Sequence, residues 1–323
     1  MSRLLSRLIS ALFAAWLVAT LVFVAVSARP GDLCTTMLDR EVADIQKLVD
    51  CRAIHGLDKP FLTQYFNWLS GMLVGDFGRE LRDPVKAESR RNRNVSDVIA
   101  PALDATLRLG LISAMIAIPL AMILGIASAL MRNRWSDLAI STTLIMFMTI
   151  PEFAIATILQ GIFAEWLGWT PAVFFGSKIS NSSQFWMIAP LPIACLSLLM
   201  MAHIQRLMRS SMIDALNSDF ARTARLNGIP RWRIILLHCL PSALPPTISL
   251  SALTVGYLLS GVTVIESVFN YPGLGRLLLN SLYDQQTYLA AAVVLILALM
   301  YIAINFVADV ISMFVDPRQR GAA

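Results

Sequence analysis

The stretch that decides the fold is LRLGLISAMIAIPLAMILGIASAL, Leu107–Leu130, in which Arg108 is the only charged side chain. An α-helix needs about 20 predominantly apolar residues to cross the hydrocarbon core of a bilayer. The stretch is therefore predicted to be a membrane-spanning helix.

Segments of the same kind recur along the chain. Together with Leu107–Leu130 they make six predicted spans, the others being Leu8–Ser27, Leu138–Ala164, Ile188–Gln205, Pro246–Val268 and Leu289–Val315. The third span contains Pro151 and Glu152 near its middle, so it is either one helix or two half-helices. The fourth span is marginal in length.

The composition agrees with a membrane protein. Apolar residues make up 57% of the chain and charged residues only 15%, whereas soluble domains carry about 25% charge. The charged residues are dense between the apolar blocks and sparse within them, which excludes an ordinary soluble enzyme. The net charge of +5 does not indicate nucleic acid, because basic loops are how membrane proteins set their orientation.

The basic residues predict that both termini are cytoplasmic, in a bacterial inner membrane. With the N-terminus inside, the short inner segments hold Arg3, Arg7, Arg132, Arg134, Arg206, Arg209, Arg222, Arg225, Arg231, Arg233, Arg318 and Arg320. The short outer loops hold only Lys178 and Arg276. The first span could instead be a secretory signal. It is too long for one, however, and no small-x-small cleavage site follows it cleanly, so a retained helix is expected.

Three regions follow from this topology: an N-terminal helix at 1–28, a periplasmic region at 29–106, and a five-helix core at 107–323. In the periplasmic region we predict a helix over Asp39–Ala53 and a second amphipathic stretch over Tyr65–Leu73, able to lie on the membrane surface. Cys34 and Cys51 fall there, and either a disulfide or two thiols is compatible with an oxidising periplasm.

The inner loop at 206–245 is too long for a simple turn. Its pattern predicts a helix over Leu207–Leu226, a stop at Asn227-Gly228, and a second helix over Arg231–Leu240 that ends near Pro241. Such a rigid hairpin on the cytoplasmic face suits a lever that fits a groove on a partner ATPase.

This loop resembles the "EAA" loop of binding-protein-dependent ABC importers, which reads E-A-A, three residues, G, nine residues, I-x-L-P. Ala224, Gly228, Leu240 and Pro241 match it. The other positions, with Arg-Thr before Ala224 and a histidine before Cys239, are usual in the peptide-importer branch. The resemblance assigns coupling to an ATPase to Arg222, Thr223, Ala224, Arg225, Gly228, Ile229, Pro230, Trp232, His238, Leu240 and Pro241.

Three further stretches resemble the dipeptide/oligopeptide/nickel permeases. They are GLDKPFLTQYFNWLSGMLVGDFG at Gly56–Gly78, SVFNYPGLGRLL at Ser267–Leu278, and NFVAD with VDPRQR within Asn305–Arg320. The resemblance implies a homologous second permease subunit, ATP-binding cassette ATPases, and a periplasmic solute-binding protein. The sequence contains no Gly-x-x-x-x-Gly-Lys-Ser/Thr phosphate loop, so ATP hydrolysis is expected in a partner and the chain is not expected to be an enzyme.

Two acidic residues and one turn are candidates for the translocation pathway. Glu152 either contacts a cationic solute or is a protonated or hydrogen-bonded carboxyl at a helix break. Glu266 either acts near an outer gate or reaches water at the interface. The outer-gate loop, Tyr271, Pro272, Gly273, Leu274 and Gly275, either shapes the mouth and the binding-protein contact or is a tight re-entry turn.

Other polar residues in the spans favour structural roles. Asn305 and Asp309, one helical turn apart, are expected to pair with neighbouring helices rather than with solute. Cys195 and Cys239 are expected to be buried apolar residues. The three histidines are far apart in sequence and lack an acidic cluster, so neither a metal site nor a cofactor is predicted.

The sequence thus predicts an all-α transmembrane six-helix permease bundle, with a large periplasmic loop after the first helix and a cytoplasmic coupling hairpin. Peptides are the expected solute, while nickel chelates, opines and short saccharides stay open. A stand-alone secondary transporter would need ion sites and repeats within the membrane. A membrane enzyme would need a nucleophile or metal cluster.

Overall fold

The computed structural model describes residues 2–28, 49, 52–53, 58–75, 94–171, 176, 179, 181–283 and 286–315. Within these ranges every regular element is a helix, which confirms the predicted all-helical fold. The helices are α1 (Ser2–Ser27), α2 (Phe61–Val74), α3 (Val95–Leu130), α4 (Trp135–Thr149), α5 (Glu152–Gln160), α6 (Ser182–Ile188), α7 (Pro190–Asn217), α8 (Asp219–Leu226), α9 (Arg231–Arg233), α10 (Leu240–Val268), α11 (Leu274–Tyr283) and α12 (Thr287–Val315). Two π-helical turns, Gly161–Trp166 and Ile234–Cys239, follow α5 and α9.

Among the described residues, five helical stretches are long and apolar enough to cross a membrane, and a bent helix pair raises the number to as many as six. The long stretches lie in α1, α3, α7, α12 and the helix that begins at Arg231. These helices are consistent with the predicted transmembrane bundle.

The third predicted span is broken. Helix α4 ends at Thr149 and α5 begins at Glu152. The helix axis of α4 and that of the stretch Glu152–Trp166 differ by 107°. Ile150 is extended, as expected for a residue before proline, and Pro151 cannot donate a helical hydrogen bond. The interpretation of this span as two half-helices is therefore confirmed.

The core of the bundle is formed by α7 and the helices around it. Cys195, Leu196, Met200 and Ile204 of α7 are fully buried. Small residues on α3 let the two helices approach closely, and a Cβ atom built on Gly125 would lie 2.6 Å from the Met208 Cβ.

The helices extend beyond the predicted spans. Helix α3 begins at Val95 rather than near Leu107, and α7 continues past Gln205 to Asn217. The end of the segment 29–106 and the start of the segment 206–245 are therefore helical. Hydropathy marks only the apolar part of a helix, whereas packing decides how far the helix continues.

The extents predicted for the two hairpin helices are wrong. Residues 207–217 belong to α7, and extended Ser218 separates them from α8. The second helix does not end near Pro241, because α9 continues through the π-helical turn into α10. Pro241 falls in the first turn of α10, directly after the wider π-helical turn, where a missing N–H is tolerated.

Helix α2 confirms the predicted amphipathic stretch and packs on α1. The ring of Phe23 lies 5.3 Å, centroid to centroid, from each of the rings of Phe61, Tyr65 and Trp68. The Tyr65 hydroxyl is 2.8 Å from Thr20 Oγ1.

Several predictions about the periplasmic region fall outside the described residues. They concern Cys34, Cys51 and most of the helix expected over Asp39–Ala53. The possible disulfide therefore stays a prediction.

The Asp309 carboxylate of α12 pairs with a neighbouring helix as expected, whereas the Asn305 amide donates to the Tyr301 carbonyl of its own helix, which does not match the predicted interhelical pairing. Asp309 forms an ion pair with Arg7 of α1. Asn305 packs against α10, where a Cβ atom on Gly256 would lie 3.1 Å from Asn305 Oδ1. Cys195 and Cys239 are buried, as predicted.

Candidate functional site

The hairpin is defined here as α8, the turn 227–230, α9 and the π-helical turn that follows. Ala221 and Ala224 on one face of α8 are buried against Met212, Ile234 and Cys239. This packing holds α8 against the end of α7 and the start of the next helix, so the hairpin has a fixed shape.

Glycine closes the turn of the hairpin. Gly228 has φ +73°, a left-handed conformation that glycine adopts at little cost. Its N–H donates to the Arg225 carbonyl at 3.1 Å, and the Ile229 N–H donates to the Ala224 carbonyl at 3.1 Å. This is the Schellman arrangement that ends many helices, so the stop predicted at Gly228 is confirmed.

The residues of the EAA-like motif divide into two groups. Ala224 is buried and Ile229 is half-buried within the hairpin, and Leu240 is half-buried at the start of α10. The remaining motif residues are exposed, namely Arg222, Thr223, Arg225, Gly228, Pro230, Trp232, His238 and Pro241. The structure therefore brings most of the predicted coupling residues together on the hairpin.

The exposed surface of the hairpin is both apolar and basic. Leu226 is 80% exposed and Trp232 is 57% exposed. The Arg233 guanidinium lies 5.2 Å from the centre of the Trp232 ring. The Arg225 guanidinium donates to the Leu216 carbonyl of α7. Such a surface can bury apolar side chains against a partner protein while its arginines meet acidic groups.

A partly buried ion pair between α4 and α7 was not identified from the sequence. The Arg209 guanidinium donates from Nε and Nη2 to the two carboxylate oxygens of Asp137, each at 2.7 Å. The Asn133 N–H also donates to Asp137, at 3.2 Å. A cleft of about 430 Å³ borders the pair. The sequence feature that could have indicated this ion pair is Asp137 itself, a lone carboxylate just before the third apolar segment.

A second polar cluster surrounds Glu266, near the other end of α10. Glu266 is fully buried, so the interpretation as a carboxylate that reaches water does not fit. Thr106 Oγ1 donates to Glu266 Oε1 at 2.6 Å. The Gly275 and Arg276 N–H groups donate to Glu266 Oε2 at 2.7 and 3.4 Å.

The turn 271–275 is packed onto this cluster. All five of its residues are buried. The Tyr271 hydroxyl donates to the Ala105 carbonyl at 3.2 Å, and burial raises the pKa of this phenol, so it stays a neutral donor. A Cβ atom on Gly275 would lie 2.4 Å from Thr263 Cα, so this position needs glycine for space. Within the single chain the turn is a packing element that joins α10 to α11.

Glu152 belongs to neither cluster. It is half-buried and begins α5, where the positive end of the helix dipole favours a carboxylate. The structure thus separates Glu152 from Glu266, and it places Glu152 at the break in the third span.

Comparison with known proteins covers nearly the whole chain. Residues 117–321 match the family described as binding-protein-dependent transport system inner membrane component. Residues 1–110 match the N-terminal family of the same transport-system membrane components.

The chain is also similar to several glutathione transport system permease proteins GsiC. Those of Salmonella choleraesuis (strain SC-B67) and Salmonella typhi are 35% identical over 304 residues, covering 94% of this chain and 94% of each relative. That of Escherichia coli (strain K12) is 34% identical with the same coverage. These matches confirm the resemblance seen in the EAA-like loop. The chain therefore belongs to the family of binding-protein-dependent transport system inner membrane components, within the dipeptide/oligopeptide/nickel branch, and is a multi-pass permease subunit of an inner-membrane ABC importer.

Proposed function

We propose that this permease imports short peptides and that glutathione-like tripeptides are its leading solute class. The observation that carries the proposal is the 35% identity over 94% of the chain to permeases named for glutathione transport. Nickel chelates, opines and short saccharides are the alternatives. A separate solute-binding protein would select among them before the permease is engaged.

We further propose that ATP is hydrolysed by partner subunits that dock on the cytoplasmic hairpin. The exposed apolar side chains and arginines of the hairpin support this docking. A homologous second permease would complete the pore as a heterodimer, and a periplasmic binding protein would deliver solute. The arginine-rich inner segments support a cytoplasmic location for both termini.

Two exposed tryptophans make a matched test of the docking surface. Trp232 is in the hairpin, whereas Trp135, 85% exposed, begins α4 outside it. Trp232→Ala should reduce co-purification of the ATPase and ATP-driven uptake of labelled glutathione in proteoliposomes. Trp135→Ala should leave both close to the unmodified values. Equal losses in the two variants would contradict docking at the hairpin, and uptake by the isolated chain without ATP would contradict the importer mechanism.

We propose that Glu152 lies on the translocation pathway, because it sits half-buried at the break in the third span. Glu152→Gln should weaken uptake of cationic peptides more than uptake of neutral peptides. Glu165→Gln, at an exposed carboxylate on the π-helical turn after α5, is the control. Unchanged uptake across a charge-varied peptide panel in the Glu152 variant would remove Glu152 from the pathway.

A further inference from the structure

The beginning of α11 takes its cap from other helices. The first amides of any helix lack partners within the helix, and the residue just before it usually supplies a side-chain acceptor. Here that residue is Gly273, which has no side chain. A Cβ atom at this position would lie 2.0 Å from Glu266 Oε1. The local sequence therefore cannot cap α11 by itself.

Side chains of α3 and α10 replace the missing cap. The Leu274 N–H donates to Thr106 Oγ1 at 2.8 Å. The Gly275 and Arg276 N–H groups donate to Glu266 Oε2 at 2.7 and 3.4 Å. Thr106 Oγ1 then donates to Glu266 Oε1 at 2.6 Å, which closes the network. The N-terminus of α11 is thereby attached to two long helices at once.

The network depends on a carboxylate. Glu266 accepts hydrogen bonds at both oxygens, and the positive end of the α11 dipole lies against it. A glutamine would offer a single acceptor oxygen, and its NH₂ group would face either the Thr106 hydroxyl or the backbone N–H groups. Replacing Glu266 with glutamine therefore loosens the attachment while changing the side-chain volume very little.

Glu266 lies in a helix that starts in the cytoplasmic hairpin. Arg231–Arg233, Ile234–Cys239 and Leu240–Val268 follow one another without a non-helical residue. At about 1.5 Å per residue this helix exceeds the roughly 30 Å thickness of the hydrocarbon core. A single helical element therefore connects the hairpin to the cap of α11.

We propose that Glu266 is a positioning residue that makes α11 follow the helix Arg231–Val268, so that a displacement of the hairpin reaches the opposite face of the bundle. The proposal rests on the proposed function, because the hairpin is displaced by the ATPase. Movement at the inner face then repositions α11 and the turn 271–275 at the outer face.

Two spin-label pairs test this coupling in the complete importer, reconstituted in nanodiscs with its ATPases and partner permease. All four native cysteines are first replaced with alanine. The inner pair is Leu237→Cys with Trp135→Cys, and the outer pair is Tyr283→Cys with Trp166→Cys, all exposed positions. Distances are measured with and without ATP and vanadate. Both pairs should change distance in the importer with native Glu266.

In Glu266→Gln the ATP-dependent change in distance of the inner label pair should be retained. The change in distance of the outer label pair should fall to less than half. Thr106→Val should act in the same direction to a smaller extent, and Glu165→Gln should have no effect on either pair. If Glu266 only stabilised the fold, its substitution would alter the distance changes of both label pairs or of neither. If Glu266→Gln does not assemble, Thr106→Val decides the question.

If the outer label pair of the Thr106 and Glu266 variants changed distance as much as in the importer with native Glu266, the coupling role would be overturned, even if transport were reduced. If only Thr106→Val assembles, an undiminished distance change of the outer label pair in that variant overturns the coupling role, and a reduced distance change supports it. Absence of the inner change in the importer with native Glu266 would instead contradict movement of the hairpin by the ATPase, which is the proposed function.

Discussion

Asp137 and Glu266 are buried carboxylates held near opposite ends of α3 by different means. Asp137 accepts both hydrogen bonds of the Arg209 guanidinium and one from Asn133, just after α3 ends. Glu266 is held by a hydroxyl and by the backbone amides that begin α11, and its hydroxyl partner, Thr106, lies in the first half of α3.

The difference follows from access to water. The side chain of Arg209 is 29% exposed, beside a cleft, so one partner of this ion pair keeps part of its hydration. Glu266 is fully buried, where a second charge would bring its own desolvation cost. Peptide dipoles satisfy the carboxylate without adding that charge. The Asp137–Arg209 pair joins two side chains, whereas the Glu266 cluster joins a carboxylate to a hydroxyl and to backbone amides.

The hairpin and the Glu266 cluster use glycine for different reasons. Gly228 is needed for its backbone angle, and a Cβ atom there would meet nothing within 4 Å. Gly275 has an ordinary backbone angle, but a Cβ atom there would meet the backbone of α10. Gly228→Ala therefore tests the cost of the backbone angle alone, and Gly275→Ala tests the cost of overpacking alone.

The largest effect is expected for Gly275→Ala. Its Cβ atom would lie 2.4 Å from Thr263 Cα, so α11 must move away from α10 and the Glu266 hydrogen bonds must lengthen. We expect a loss of about 3 kcal/mol in stability, the upper part of the usual range for overpacked cores. Thermal denaturation of the purified importer complex measures it. Gly110→Ala, inside α3, meets nothing within 4 Å and should be neutral or slightly stabilising. A Gly275 variant as stable as the unmodified protein would contradict the tight contact between α10 and α11.

An intermediate effect is expected for Arg209→Ala. The substitution leaves Asp137 buried without its cationic partner, which should cost about 2 kcal/mol because the neighbouring cleft admits some water. The same denaturation assay applies. Arg206→Ala removes an exposed arginine from the same helix and is the control. If the two variants lose the same stability, the ion pair does not hold α4 to α7.

The smallest effect on stability is expected for Gly228→Ala, about 1 kcal/mol from the left-handed backbone angle. Its effect on function should exceed its effect on stability, because the turn sets the shape of the hairpin. Membrane insertion should be normal, while ATPase co-purification and ATP-driven uptake decline. Normal assembly combined with normal uptake would contradict the hairpin as the coupling element.

The membrane-spanning character and the hairpin turn were predictable from local patterns. A bilayer requires a long apolar stretch for each span, so Leu107–Leu130 and its counterparts are visible in hydropathy. Gly228 marked the turn because a left-handed C-terminal residue is usually glycine. The limits of the first hairpin helix were predicted wrongly because its apolar pattern runs across the break at Ser218, and those of the second because Pro241 was taken to end a helix that a π-helical turn allows to continue.

The sequence by itself determined the apolar spans and the family motifs, since each depends on neighbouring residues in the chain, and it marked Pro151 as a possible break that the structure then decided. Only the tertiary structure decided the partners of Asp137 and Glu266. Arg209 is 72 residues from Asp137, and Thr106 is 160 residues from Glu266. Such pairs form because helices distant in sequence pack side by side, and a buried polar group then takes whatever partner the neighbouring helix presents.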